Sequence, residues 1–96
     1  MARKISSAQM RAARALLRWS ALDLAKASKV GVATIRRAEV AEGEIPVTLA
    51  NEAALRGALE SAGVEFTNGE RPGVRLSREV ARGQTGSAAA SEKQRK

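Results

Sequence analysis

Residues 19–39 read Trp-Ser-Ala-Leu-Asp-Leu-Ala-Lys-Ala-Ser-Lys-Val-Gly-Val-Ala-Thr-Ile-Arg-Arg-Ala-Glu, and this stretch decides the fold. Ser20 stands three residues before Asp23, with Trp19 and Leu24 on either side. In that arrangement a hydroxyl and a carboxylate satisfy each other's backbone N–H groups while two apolar side chains staple the entry to a helix. Gly31 is suited to cap a second helix, with Val30 and Ile35 as its apolar pair, and that helix runs from about Val32 to Ala41. Ala25, beside Leu24, is small enough to let the two helices approach closely. The stretch therefore predicts two short helices joined by a tight turn, with Arg36 and Arg37 on the outer face of the second.

Upstream, Ser6 and Gln9 repeat the capping pattern with Ile5 and Met10 as staple, so a first helix starts at about Ser7. Downstream, Gly43 and Pro46 interrupt the pattern and Thr48 caps a fourth helix that runs to about Ala62, where Gly63 supplies a left-handed stop. Leu49, Ala53, Leu55 and Leu59 form its expected apolar stripe, and Gly57 inside it costs about 1 kcal/mol against alanine. Val64–Thr67 and Gly73–Leu76 alternate apolar and polar residues around an Asn68-Gly69 turn signal, which predicts a hairpin with a loop of about five residues. From Gly83 to Lys96 the chain is Gly, Ser, Ala, Gln and Lys without apolar periodicity, the composition of a disordered tail. The expected fold is mainly α: four helices in a domain over 5–63, a small β-hairpin over 64–78, and a flexible basic tail over 79–96.

Composition excludes more than it specifies. The 96 residues contain no His, Cys or Tyr and a single Asp, Asp23. Most general bases, nucleophiles and metal ligands are thereby missing, so no catalytic site, metal or cofactor is expected. Glu42 and Glu44 in their loop read as solvated carboxylates. No run approaches the roughly 20 apolar residues of a membrane span, and the start has no secretory core, which points to the cytoplasm and to the nucleoid when the chain is on DNA. Trp19 and Phe66, the only aromatics, read as packing residues, which disfavours single-strand binding by stacking. The net charge is +7, and it is unevenly spread. Residues 1–41 hold nine Lys/Arg against Asp23 and Glu39, residues 42–68 hold Arg56 against five Glu, and residues 69–96 hold seven Lys/Arg against three Glu. A positive block that coincides with the paired helices fits a protein with one polyanion-facing side.

The order and spacing of Gln9 to Leu17, Trp19-Ser20, Asp23-Leu24-Ala25, Val30, Ala33-Thr34-Ile35, Glu39, Ala58-Leu59-Glu60, Ala62 to Phe66 and Pro72 to Leu76 resemble the short lambda-repressor-like (Cro-type, XRE-family) helix-turn-helix regulators of proteobacteria, over about residues 5–77. The resemblance implies a dimeric, operator-binding transcriptional regulator. It implies that Val32, Ala33, Arg36 and Arg37 face base edges in the major groove. Arginine bonds guanine O6 and N7 there, and small apolar groups meet a thymine methyl. Because Arg36 and Arg37 lie about 100° apart on a helix, one is expected to read a base squarely and the other to meet phosphate. Ser20, Lys26 and Lys29 are the implied phosphate contacts, with Arg18 and Arg14 weaker ones. The family's usual Gln, turn Gly, Ser/Thr cap and large apolar residue are here Ala21, Lys29, Gly31 and Ala38. Lys29 is therefore expected to adopt a left-handed conformation at a cost of about 1 kcal/mol.

Double-stranded DNA and a second copy of the chain are the expected partners, and no small-molecule ligand is expected. The hairpin and the end of the fourth helix, through Leu59, Val64, Phe66, Val74 and Leu76, are the expected dimer contacts. An antitoxin- or antiactivator-like interaction module with accessory DNA binding is the second reading, supported by the acidic fourth helix with Glu52 and Glu60. An RNA-associated basic protein is a third, but the aromatic signature of common RNA modules is missing.

Overall fold

Short-range capping chemistry fixes where three of the four helices begin. In the computed structural model, which describes residues 4–77, the elements are α1 (Ser7–Leu17), α2 (Ala21–Ser28), α3 (Val32–Val40), α4 (Leu49–Ser61), β1 (Val64–Thr67) and β2 (Gly73–Leu76). Ser6 and Gln9 form a reciprocal capping box on α1, and Ser20 and Asp23 form one on α2. The Thr48 hydroxyl accepts the Asn51 N–H at 3.1 Å to start α4. Gly31 precedes α3 in an extended conformation and offers no side-chain cap. Gly63, with φ of 109°, follows α4 as the left-handed stop. Lys29 has φ of 66° and Arg18 has φ of 59°, so two helices end on a left-handed cation. The first was legible in the sequence; the second was not.

The fold is mainly helical, with four helices and one two-stranded antiparallel sheet. Its core gathers Ile5, Met10, Ala13, Leu17, Leu24, Val30, Ile35, Ala38, Ile45, Leu55, Leu59 and Val64, with Trp19, Ala25 and Phe66 packed on its margin. α4 departs from the expected stripe: Leu49 is 75% exposed and Ala53 is exposed, whereas Glu52, Leu55 and Leu59 are buried. The reason is polar. Glu52 Oε2 accepts the Ile5 backbone N–H at 3.2 Å and the Arg56 Nε–H at 3.0 Å. That pairing turns the 52/55/59 row inward and leaves Leu49 outside.

Ile5 and Ile45 form a feature with no local signal. The Ile45 N–H donates to the Ile5 carbonyl at 3.1 Å and the Ser7 N–H to the Gly43 carbonyl at 2.9 Å, so the entry to α1 lies alongside the loop after α3. The hairpin pairs Val64 with Leu76 and Phe66 with Val74, and its loop spans the five residues 68–72 as expected. Buried Gln9 ties it down by donating from Nε2 to the carbonyls of Thr67 at 2.9 Å and Gly73 at 3.2 Å. Because Val64, Phe66, Val74 and Leu76 share one face and that face packs on the core, the hairpin belongs to the same body as the helices. The expected tail over 79–96 and residue 78 of the hairpin segment lie outside the described residues.

Candidate nucleic-acid interface

The corner between α2 and α3 is built from both sides of the turn. Leu24, Val30 and Ile35 are buried together, and the Ser28 hydroxyl donates to the Leu24 carbonyl at 2.7 Å while accepting the Val30 N–H at 3.2 Å. Ser28 thus satisfies the turn's own backbone, a role its polarity hid in the sequence. With Lys29 left-handed, three residues suffice to redirect the chain from α2 into α3.

α3 is then gripped from behind by α1. The Ser7 hydroxyl donates to the Ala38 carbonyl, and Arg11 donates to the Glu39 carbonyl. Arg14 donates to the Glu39 carboxylate from Nε and Nη2, both at 2.6 Å, and from Nη1 to the Trp19 carbonyl at 2.8 Å. Positions 7, 11 and 14 share one face of a helix. Ser7 and Arg11 therefore supply donors to carbonyls in the last turn of α3, where the ladder of the helix itself runs out, and Arg14 holds the Glu39 side chain. The Glu39 hydrogen bonds also make the Arg14 guanidinium hold its proton more firmly than an ordinary arginine. Arg14, one of the weaker phosphate candidates, is therefore a structural group committed to Glu39.

With its inner row Ile35, Ala38 and Glu39 buried, α3 turns Ala33, Arg36, Arg37 and Val40 to solvent. Val32 is half-buried on the flank. The sequence reading passed over Thr34 and Val40. Val40, 82% exposed, continues the Ala33–Arg37 row at helical spacing. The Thr34 hydroxyl accepts from Arg37 Nη2 at 3.3 Å. Their signal was the i, i+3 and i, i+7 spacing to residues already singled out.

Cations divide into two groups. Arg14 pairs with Glu39, Arg56 with Glu52 and Glu60, and Arg75 with Glu65, while Arg11 and Lys4 donate to the backbone. Arg18, Lys26, Lys29, Arg36, Arg37 and Arg71 make no ion pair among the described residues. All of these except Arg71 fall between the end of α1 and α3. Of the two carboxylates in that interval, Glu39 is taken by Arg14 and Asp23 serves the α2 cap. The Ser20 backbone N–H, then the Ser20 hydroxyl and the charge of Lys26, hold it below the usual carboxylate range. Ser20 is correspondingly committed as a cap: its N–H goes to Asp23 at 2.9 Å and its oxygen accepts the Asp23 N–H at 3.0 Å, so the groups expected to meet a phosphate are engaged within the cap.

Among the described residues, Glu42, Glu44 and Glu70 make no ion pair and are exposed in the loop after α3 and in the hairpin turn. Glu44 and the turn residues Asn68, Gly69 and Pro72 line an open cavity of about 220 Å³ with Lys4, Ser6 and Gln9. Among the described residues no helix is long and apolar enough to cross a membrane, and no cluster of His, Cys, Asp and Glu is placed to hold a metal.

The expected dimer contacts need correction. Leu59 and Val64 are 0% and 2% exposed within the protomer, and Phe66, Val74 and Leu76 lie half-buried on the inward face of the hairpin. Leu59 and Val64 build the core, and Phe66, Val74 and Leu76 pack against it with part of their surface still exposed.

Comparison with protein-family models, with curated proteins and with solved structures found no match.

Proposed function

We propose that this chain is a sequence-specific, double-stranded-DNA-binding transcriptional regulator of the lambda-repressor-like helix-turn-helix class, acting as a dimeric repressor that occupies DNA near its own gene. The observation that carries the reading is the absence of an ion pair at Arg18 after α1 and at Lys26, Lys29, Arg36 and Arg37 on α2, α3 and the turn between them, in a chain whose other described arginines, Arg71 apart, are bonded to carboxylates or carbonyls. Leaving cations unpaired side by side is unfavourable without an anionic partner, and a duplex presents phosphates on both sides of the groove that α3 would enter. In this reading α3 enters the major groove with Ala33, Arg36 and Arg37 on its solvent side, while Lys26, Lys29 and Arg18 meet phosphate.

Dimerisation follows from the size of the reading face, since one such unit spans only a few base pairs. The hairpin offers a second copy its edges rather than its apolar face. The Ser77 N–H donates to the Gly63 carbonyl at 2.7 Å. Alternation from that bonded pair makes 64/76 and 66/74 the pairs whose backbone groups point away from the ladder. An open strand edge is a template for pairing with another chain.

The test is selection by the full-length protein from a pool of randomised duplexes. Enrichment of a palindrome with half-sites about 10–10.5 bp apart supports the proposal. Absence of enrichment, or preference for RNA over duplex, overturns it.

A further inference from the structure

We propose that Arg37, held by Thr34, is the side chain that reads a guanine, and that Arg36 beside it binds phosphate. The assignment rests on the DNA-reading function proposed above and distributes roles within it.

Two independent observations carry it. The first is rotational. The inner row of α3, Ile35, Ala38 and Glu39, fixes which way the helix faces, and the clamp from Ser7, Arg11 and Arg14 locks that rotation. At about 100° per residue, Ala33, Arg37 and Val40 lie opposite the buried row, whereas Arg36 lies about 100° from Ile35, on the flank shared with Val32. A helix seated in the major groove presents its outermost row to the base edges and its flanks to the groove walls, where the phosphates are.

The second is a side-chain contact that distinguishes the two arginines. Arg37 Nη2 donates to Thr34 Oγ1 at 3.3 Å, and Arg36 makes no side-chain hydrogen bond or ion pair among the described residues. Thr34 is half-buried and β-branched, so its hydroxyl sits on a stiff support. Reading O6 and N7 of guanine takes two parallel N–H groups. A guanidinium carries two such forks, Nε with Nη2 and Nη1 with Nη2. Whichever Nη2 proton Thr34 accepts, one fork stays complete. A guanidinium already held in place loses less side-chain freedom on binding than a free one. Phosphate recognition needs no such alignment, because it accepts a charge from many directions, and Arg36 suits it.

Thr34 is thus a positioning residue for Arg37. Its contribution is separable from folding, because neither its hydroxyl nor Arg37 bonds to another element.

The experiment uses the full-length protein on the duplex selected above, with each guanine replaced in turn by 7-deazaguanine, which lacks the N7 acceptor. The parent should lose about tenfold in affinity at one guanine per half-site. Arg37→Ala should bind the guanine and 7-deazaguanine duplexes equally. Arg36→Ala should keep the parent's discrimination while its log–log salt slope shrinks by about one. Thr34→Val should lower the discrimination, and Thr34→Ser should restore it. The assignment is overturned if Arg36→Ala abolishes the discrimination and Arg37→Ala keeps it, if Thr34→Val discriminates as well as the parent, or if no guanine in the selected duplex responds. Any of these leaves duplex recognition standing. Failure to select any duplex removes that underlying function and this assignment together.

Discussion

Lys29 occupies a conformation that suits glycine: its φ of 66° places a lysine Cβ against the backbone at a cost of about 1 kcal/mol. Strain of this kind persists where the surrounding structure enforces it, and it often marks a functional position. Lys29→Gly should raise stability to denaturant by up to about 1 kcal/mol and, at the same time, weaken duplex binding and reduce its salt slope by about one. A variant that gained stability with unchanged binding would make Lys29 a mere turn residue. Asp23 gives a second residue-scale expectation. Its carboxyl is held below the usual range by the Ser20 N–H, so its folded value lies below its unfolded one. The stability it contributes is complete above the ordinary carboxylate range and is lost as the pH falls through that range toward the folded value. The stability gap between the parent and Asp23→Ala, from denaturant unfolding at several pH values, should therefore close as the solution is acidified; a gap independent of pH would deny the carboxylate that role.

At the scale of elements, the clamp between α1 and α3 controls how the outer face of α3 is presented. Glu39 is a buried carboxylate whose bidentate partner is Arg14. Arg14→Ala leaves that charge without its partner and should cost about 3 kcal/mol, measured by denaturant unfolding. Arg75→Ala, which breaks an exposed pair with Glu65, should cost no more than about 1 kcal/mol. In α4, a Cβ added at Gly57 would meet nothing within 4 Å, so Gly57→Ala should stabilise the protein by about 0.5–1 kcal/mol. A loss of stability there would mean that the helix needs the glycine for close approach. These elements also mark how far the sequence could be read. The caps at Ser6, Ser20 and Thr48 were legible because their hydrogen bonds span three residues. The burial of Glu52 instead of Leu49 was not, because α4 is apolar on several sides and its rotation is set by Ile5, forty-seven residues away along the chain. Ser7 with Ala38 and Arg14 with Glu39 were invisible for the same reason, and with them the fate of Arg14.

For the whole molecule, charge is sorted rather than balanced. Among the described residues, the cations without an ion pair, Arg71 apart, collect at the end of α1 and on α2, the turn and α3, while Glu42, Glu44 and Glu70 stand without one in the loop after α3 and in the hairpin turn. The uneven charge along the chain was legible in the sequence; which cations are spent inside the fold was not, since Arg14 and Arg36 look alike until Glu39 is placed. The hairpin was legible as a hairpin, but its apolar face covers the core of its own protomer. The most direct test of the charge sorting is the salt dependence of duplex affinity for the full-length protein on its selected site, compared with Lys29→Ala, Arg36→Ala and Arg75→Ala. Each phosphate neutralised adds about −0.9 to the log–log slope, so the four cations assigned to phosphate, Arg18, Lys26, Lys29 and Arg36, give a steep slope, up to about −4 per protomer. Lys29→Ala and Arg36→Ala should each remove about one unit, and Arg75→Ala should leave the slope as it is. A slope near zero, or an equal loss from Arg75→Ala, would contradict the assignment of duplex binding to the unpaired cations of α2, α3 and the turn between them.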